Sequence, residues 1–237
     1  MRLVPVAVSL FCLAVLSSAV RADGLIYKLP ADGSQVRYDM EIKLNAGGQE
    51  RSVKGSVSVS SVGQVEENGE KCRWIEIKMI TSNEGQDHVG ISKVLVPEKH
   101  LGKGKSAAEN MIRAWIKEGE GEPQDIKDLK APQAVALRAF LAGAPKNPGE
   151  LEKKEIDGKL GKLECAGVTG DLELEADIGT IGLNIENRLH DKAPFGLVSA
   201  AWNFDLKANG QSVLNGTFLL TVADTSTTAL SDLPDRK

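Results

Sequence analysis

At 237 residues, with 33 acidic against 29 basic side chains and a net charge of −4, the chain can bury one sizeable core. It lacks the basic surplus that nucleic-acid binding needs. Aromatic residues make up only 4% of the sequence, so that core has to be built mainly from Val, Ile, Leu and Ala.

Arg2 precedes an almost continuously apolar run from Leu3 to Val15, followed by Ser17-Ser18-Ala19 and Val20-Arg21-Ala22. This order of charge, apolar segment and small residues reads as a signal peptide, residues 1–22, cleaved between Ala22 and Asp23. The run is short for about 30 Å of hydrocarbon; an uncleaved anchor is the alternative. Cys12 lies inside the apolar run behind Phe11, which does not fit a lipidation site. Loss of Arg2 and Arg21 leaves 27 basic and 33 acidic residues, a charge of −6. The expected product is periplasmic or secreted, with no transmembrane span after cleavage. Two cysteines remain, Cys72 and Cys165. In an oxidising compartment they are candidates for a disulfide, with two separately buried thiols as the alternative.

Leu25 to Leu29 reads as a short strand ended by Pro30 and a turn at Gly33. Val36, Tyr38, Met40, Ile42 and Leu44 then alternate with Arg37, Asp39, Glu41 and Lys43. Period two places the apolar groups on one face and the charges on the other, as in an antiparallel strand with one wet side. Strands with Val53, Val57 and Val59, then Ile75, Ile77 and Met79, then Val89 to Val96, continue a meander; Asn68-Gly69 is a hairpin cue.

Around residues 104–145 the pattern changes. Ser106-Ala107-Ala108-Glu109 matches a capping box, and Met111, Ile112, Trp115 and Ile116 fall on one helical stripe. Pro132 to Leu141 reads as a second helix. Both are expected as an insertion within a single β-rich domain, residues 23–223. Alternation returns through Leu172 and Leu174, Ile181 to Ile185, and Val198 to Leu206. It ends after the Asn209-Gly210 turn with Leu214, Phe218, Leu220 and Val222. Residues 224–237 are expected as a polar tail that frays.

A one-sided sheet needs a cover. The predicted fold class is mainly β (α+β): a curved antiparallel sheet or incomplete β-barrel, with two helices inserted mid-chain covering the concave face. Scarce aromatics and mid-chain helices argue against a transmembrane barrel.

No catalytic constellation emerges. His88, His100 and His190 lack metal-ligand spacing. Gly90-Ile91-Ser92 lacks the glycine that would complete a nucleophile elbow, and Gly102 to Ser106 lacks the first glycine of a phosphate loop. The Lys192-Ala193-Pro194-Phe195-Gly196 loop reads as a plug, with Phe195 over a sheet end. No cofactor and no metal are expected.

The leader, the long meander, the mid-chain helical section and the Leu189-His190-Asp191-Lys192-Ala193-Pro194-Phe195-Gly196-Leu197-Val198 segment resemble secreted proteins of planctomycete-type bacteria. The element order over most of the mature chain is also similar to the LolA/LolB-like superfamily of periplasmic lipoprotein carriers. That resemblance implies an incomplete barrel and helical lid enclosing an apolar cavity for acyl chains. It transfers no individual site residue, and the chain departs from the membrane-anchored members in having no lipobox.

The expected function is a non-enzymatic binding or carrier-like protein for a lipid or other apolar ligand, with Tyr38, Met40, Trp115 and Trp202 as candidate lining residues. A structural or interaction protein with an envelope protein as partner and a filled core is the alternative. A hydrolase with a dispersed active site is the third.

Overall fold

The computed structural model describes residues 24–83, 85–127, 132–141 and 145–233; the predicted leader lies outside them. Eleven strands form one antiparallel sheet. They are β1 (Gln35–Ala46), β2 (Gln49–Glu67), β3 (Glu70–Asn83), β4 (Gln86–Pro97), β5 (Arg113–Glu118), β6 (Gln124–Asp125), β7 (Lys146–Gly158), β8 (Gly161–Ala176), β9 (Gly179–Leu189), β10 (Leu197–Ala208) and β11 (Gln211–Ser226). The helix α1 (Pro132–Phe140) links β6 to β7.

The spatial order, β6-β5-β4-β3-β2-β1-β11-β10-β9-β8-β7, is two meanders joined by β1 and β11. β6 and β7 are unpaired edges, so the sheet is not closed. The Asn-Gly turns behave as their sequence demands. Asn68 and Asn209 sit at φ of 52° ahead of Gly69 and Gly210, the left-handed pair that lets a two-residue turn follow the strands' twist.

One face is mainly apolar, and the register lines it up in rows. Leu44, Gly216, Phe204, Leu183 and Leu172 stand side by side across β1, β11, β10, β9 and β8. Ile42, Phe218, Trp202 and Ile185 form the next row. Val36, Tyr38 and Met40 of β1 are buried with Val57, Val59, Ile75, Ile77, Val94 and Val96. A nine-residue helix, about 14 Å long, cannot roof a sheet spanning roughly 48 Å at strand spacing. The sheet therefore curls its apolar face inward without closing, as long twisted strands do, and α1 packs into the concavity. Leu137, Phe140 and Leu141 enter the main core. The opposite face of β1 carries Arg37, Asp39, Glu41 and Lys43, the reverse of the outward apolar band of a membrane barrel.

Three expectations are corrected. The first mid-chain helix does not form: Ala108–Asn110 is a single 3-10 turn, and Arg113–Glu118 is a strand paired to β4. Met111, Ile112, Trp115 and Ile116 follow helical spacing and do not alternate, so the strand sends them to both faces; the open edge of β4 supplies the hydrogen-bond partners that override the local pattern. One short helix therefore lies on the concave face, not two. Leu25 to Leu29 contributes only an isolated bridge, Ile26 to Gly196. The tail expected from Asp224 continues as β11 to Ser226; beyond it Ser231 and Asp232 bond to Glu76, and Leu233 is buried.

Phe140 packs against Trp202 and Phe218, with centroids 6.1 and 5.5 Å apart. Phe140→Ala should leave a cavity beneath α1 and cost about 3–5 kcal/mol, read as a lowered urea midpoint at unchanged slope.

Candidate functional site

The concave face has a sealed end and an open end. The sealed end is closed by residues 24–34, the turn after β4 and the 190–196 loop. Phe195 is fully buried, and its carbonyl accepts from the Tyr27 amide at 2.9 Å. The plug expected of this loop is thus in place.

Beside it, Arg73 reaches Glu98 Oε1 through Nη2 at 2.6 Å and Asp32 Oδ1 through Nη1 at 3.4 Å. It also donates to Ser61 Oγ at 3.1 Å. This buried guanidinium ties together β3, the irregularity in β2, the turn after β4 and the segment before β1. Its donors are spent on these partners, so it acts as a tie between elements.

Tyr38, Met40 and Trp202 are brought together on this face, all buried in the main core. Tyr38 donates its hydroxyl to the Leu197 carbonyl at 3.2 Å, and burial pushes its phenol well above the ordinary value of 10.0. The Trp202 indole donates to Asn187 Oδ1 at 2.9 Å and stacks near Phe218 at 5.5 Å. Each polar handle is satisfied internally, which a buried aromatic requires.

Trp115 is not with them. It points to the outer side of β5, where it stacks on Trp74 at 4.9 Å between centroids in a separate cluster with Cys72 and Leu95. Its reassignment from helix to strand places it on the wrong side for a ligand in the concavity.

The open end lies at the hairpin tips. There Ile42, Met79, Leu172, Ile181 and Phe204 are only partly buried against the core, with Leu44, Leu206 and Leu214 beside them. Gly216 makes room at this mouth: a Cβ there would lie 2.1 Å from the Lys43 carbonyl and 2.8 Å from the Phe204 ring. A bare backbone lets Phe204 lie flat across β11. Phe204, Phe218, Phe140 and Asn187 were not singled out from sequence. For the first two the signal was present in the alternation; for Asn187, buried opposite Ala200, its polarity pointed the wrong way.

Cys72 and Cys165 are free and buried in different clusters. Of the two alternatives read from sequence, the structure has the separate thiols. Among the described residues no group of three or more His, Cys, Asp or Glu side chains is placed to hold a metal.

No protein-family profile matches the sequence, and no curated protein does. Among solved structures, the chain is similar to a Bacteroides fragilis protein of YmcC-like fold assigned to export, at 8% identity and a TM-score of 0.38, over 84% of this chain and 99% of that one. It is also similar to a β-barrel-like protein of the DUF1849 domain from Brucella abortus, at 10% identity and 0.27, over 84% and 98%. A DUF1329 family protein from Desulfovibrio piger follows at 8% identity and 0.26, over 82% and 85%.

Two outcomes follow from the buried groups. A phenol that resists ionisation when folded contributes stability that is complete below its unfolded value near 10 and is lost as pH rises past it, because only the unfolded chain then releases the proton. Wild-type stability should therefore fall above about pH 10. Tyr38→Phe should flatten that fall and cost about 1 kcal/mol below it, measured by urea unfolding at several pH values. Desolvation also raises both cysteine thiols. Both should stay unreactive to a thiol reagent in the native protein and react on unfolding.

Proposed function

We propose that the chain is an exported, non-enzymatic binding protein that holds a lipid or similar apolar ligand against the open end of its concave face. The supporting observation is the half-covered apolar mouth formed by Ile42, Leu44, Met79, Phe204, Leu206 and Leu214. These side chains continue the rows of the core toward the hairpin tips, where they are only partly buried. A concave apolar site beside a preformed scaffold is the usual form of a small-molecule pocket.

The reading as non-enzymatic is supported by the charged groups nearest the concavity. Arg73, Asp32 and Glu98 are committed to one another at the sealed end. Export rests on the leader-like first 22 residues, and the negative charge of the mature chain favours a ligand other than nucleic acid.

A second reading, an envelope interaction protein with a filled core, draws support from the sealed end. Between it and the mouth, Tyr38, Met40 and Trp202 pack as ordinary core.

Titration with a fluorescent fatty acid separates the two. The carrier reading expects saturable enhancement, displaced by unlabelled fatty acid. Phe204→Glu should weaken it about tenfold or more, the worth of one lost apolar side-chain contact, while far-UV circular dichroism stays unchanged. No saturable binding by the wild type would leave the filled-core reading standing.

A further inference from the structure

Residues 227–233 leave β11 and cross the outside of the sheet. The register marks their route: Ser226 stands opposite Gln35, Gln35 opposite Ser60, Ser60 opposite Glu76, and Glu76 opposite Lys93. This is one row of outward positions running from β11 over β1 and β2 to β3 and β4. Along the way the Ala229 amide donates to the Gly33 carbonyl at 2.8 Å.

At the far end the contacts become specific. The Ser231 hydroxyl donates to Glu76 Oε2 at 2.6 Å, and the Asp232 amide donates to Glu76 Oε1 at 3.0 Å. Lys78 Nζ meets Asp232 Oδ2 at 2.8 Å, and Lys93 Nζ donates to the Leu233 carbonyl at 3.3 Å. Lys93 also lies 5.2 Å from the centre of the Trp74 ring.

Outward charges elsewhere on this sheet stand in water: Arg37 and Asp39 are exposed by 44% and 75%. Glu76 and Lys93 are exposed by 3% and 0%, with Leu233 at 3%, whereas the connecting Leu230 is 86% exposed. A carboxylate removed from water needs its oxygens satisfied, and here one short segment uses both. The segment is thus docked at its end and tethered through an exposed link.

We propose that the outer face of β3 and β4 is a binding site for an extended peptide presenting a hydroxyl, a carboxylate and an aliphatic side chain in succession. The chain's own Ser231-Asp232-Leu233 occupies it in cis, and the same sequence can replace it in trans. Glu76 reads the hydroxyl and the following amide, Lys78 the carboxylate, and Lys93 the last carbonyl. The proposal does not depend on what the concave face binds.

The test uses the full-length chain carrying Ser231→Ala with Leu233→Asp, which undocks the segment, and a fluorescein-labelled peptide of residues 227–233. The peptide's anisotropy should rise saturably with this variant. Binding to the wild type should be at least tenfold weaker, because a short tether supplies its segment at an effective concentration of about a millimolar. Adding Glu76→Ala to the undocked variant should abolish binding. A folded undocked variant that ignores the peptide, or one that binds it equally without Glu76, overturns the proposal.

Native hydrogen exchange provides a reading without any variant. The Asp232 and Leu233 amides should exchange at least tenfold faster than those of central β3, through release of the docked end. Equal protection would mean the segment never leaves, and the proposal fails.

Discussion

The pairing of β1 with β11 is the constraint on which the rest of the molecule depends. Each meander alone is a sheet with one oily side, and α1 is too short to cover either fully. The ladder from Gln35–Ser226 to Asn45–Asn215 fuses them, so that mainly apolar rows such as Val53, Ile42, Phe218, Trp202 and Ile185 run from β2 to β9. Only a sheet that wide can turn its apolar face toward itself. The partners are among the most distant in sequence, so loop-closure entropy has to be met before this contact contributes.

Polar groups then divide the concavity into two ends. At one, Arg73 with Asp32 and Glu98, Tyr38 with the Leu197 carbonyl, and Trp202 with Asn187 each meet their hydrogen-bonding needs inside the protein. Breaking any of these would strand a buried polar atom, which fixes the packing there. At the other, the apolar rows run on to side chains that are only partly buried.

The outer face is not uniformly wet either. Trp74 and Trp115 stack there, and the segment after β11 lies over Glu76 and Lys93. Because that segment starts on the second meander and ends on the first, it is a further tie across the β1–β11 junction, made from the convex side. Separation of the meanders would have to break this strap as well as the ladder.

Much of this was legible in the chain itself. Alternation from Val36 to Leu44 and from Val198 to Leu206 determined strands, face and antiparallel character, because period two leaves a helix no consistent apolar side. Asn68-Gly69 and Asn209-Gly210 determined their turns, because few other residues tolerate the left-handed backbone. Three of the four candidate lining residues share the concave face for the same reason. What tertiary structure decided was every case in which the local pattern did not prevail. Met111 to Ile116 carries a helical stripe, and the unpaired edge of β4 overrode it, carrying Trp115 to the outer side. Ser231 to Leu233 reads as a polar end, and only the buried Glu76 and Lys93, brought side by side by strand register, give it a place to dock. Local spacing acts through bonds and steric limits within a few residues, whereas an open edge or a buried charge exists only after distant segments have met.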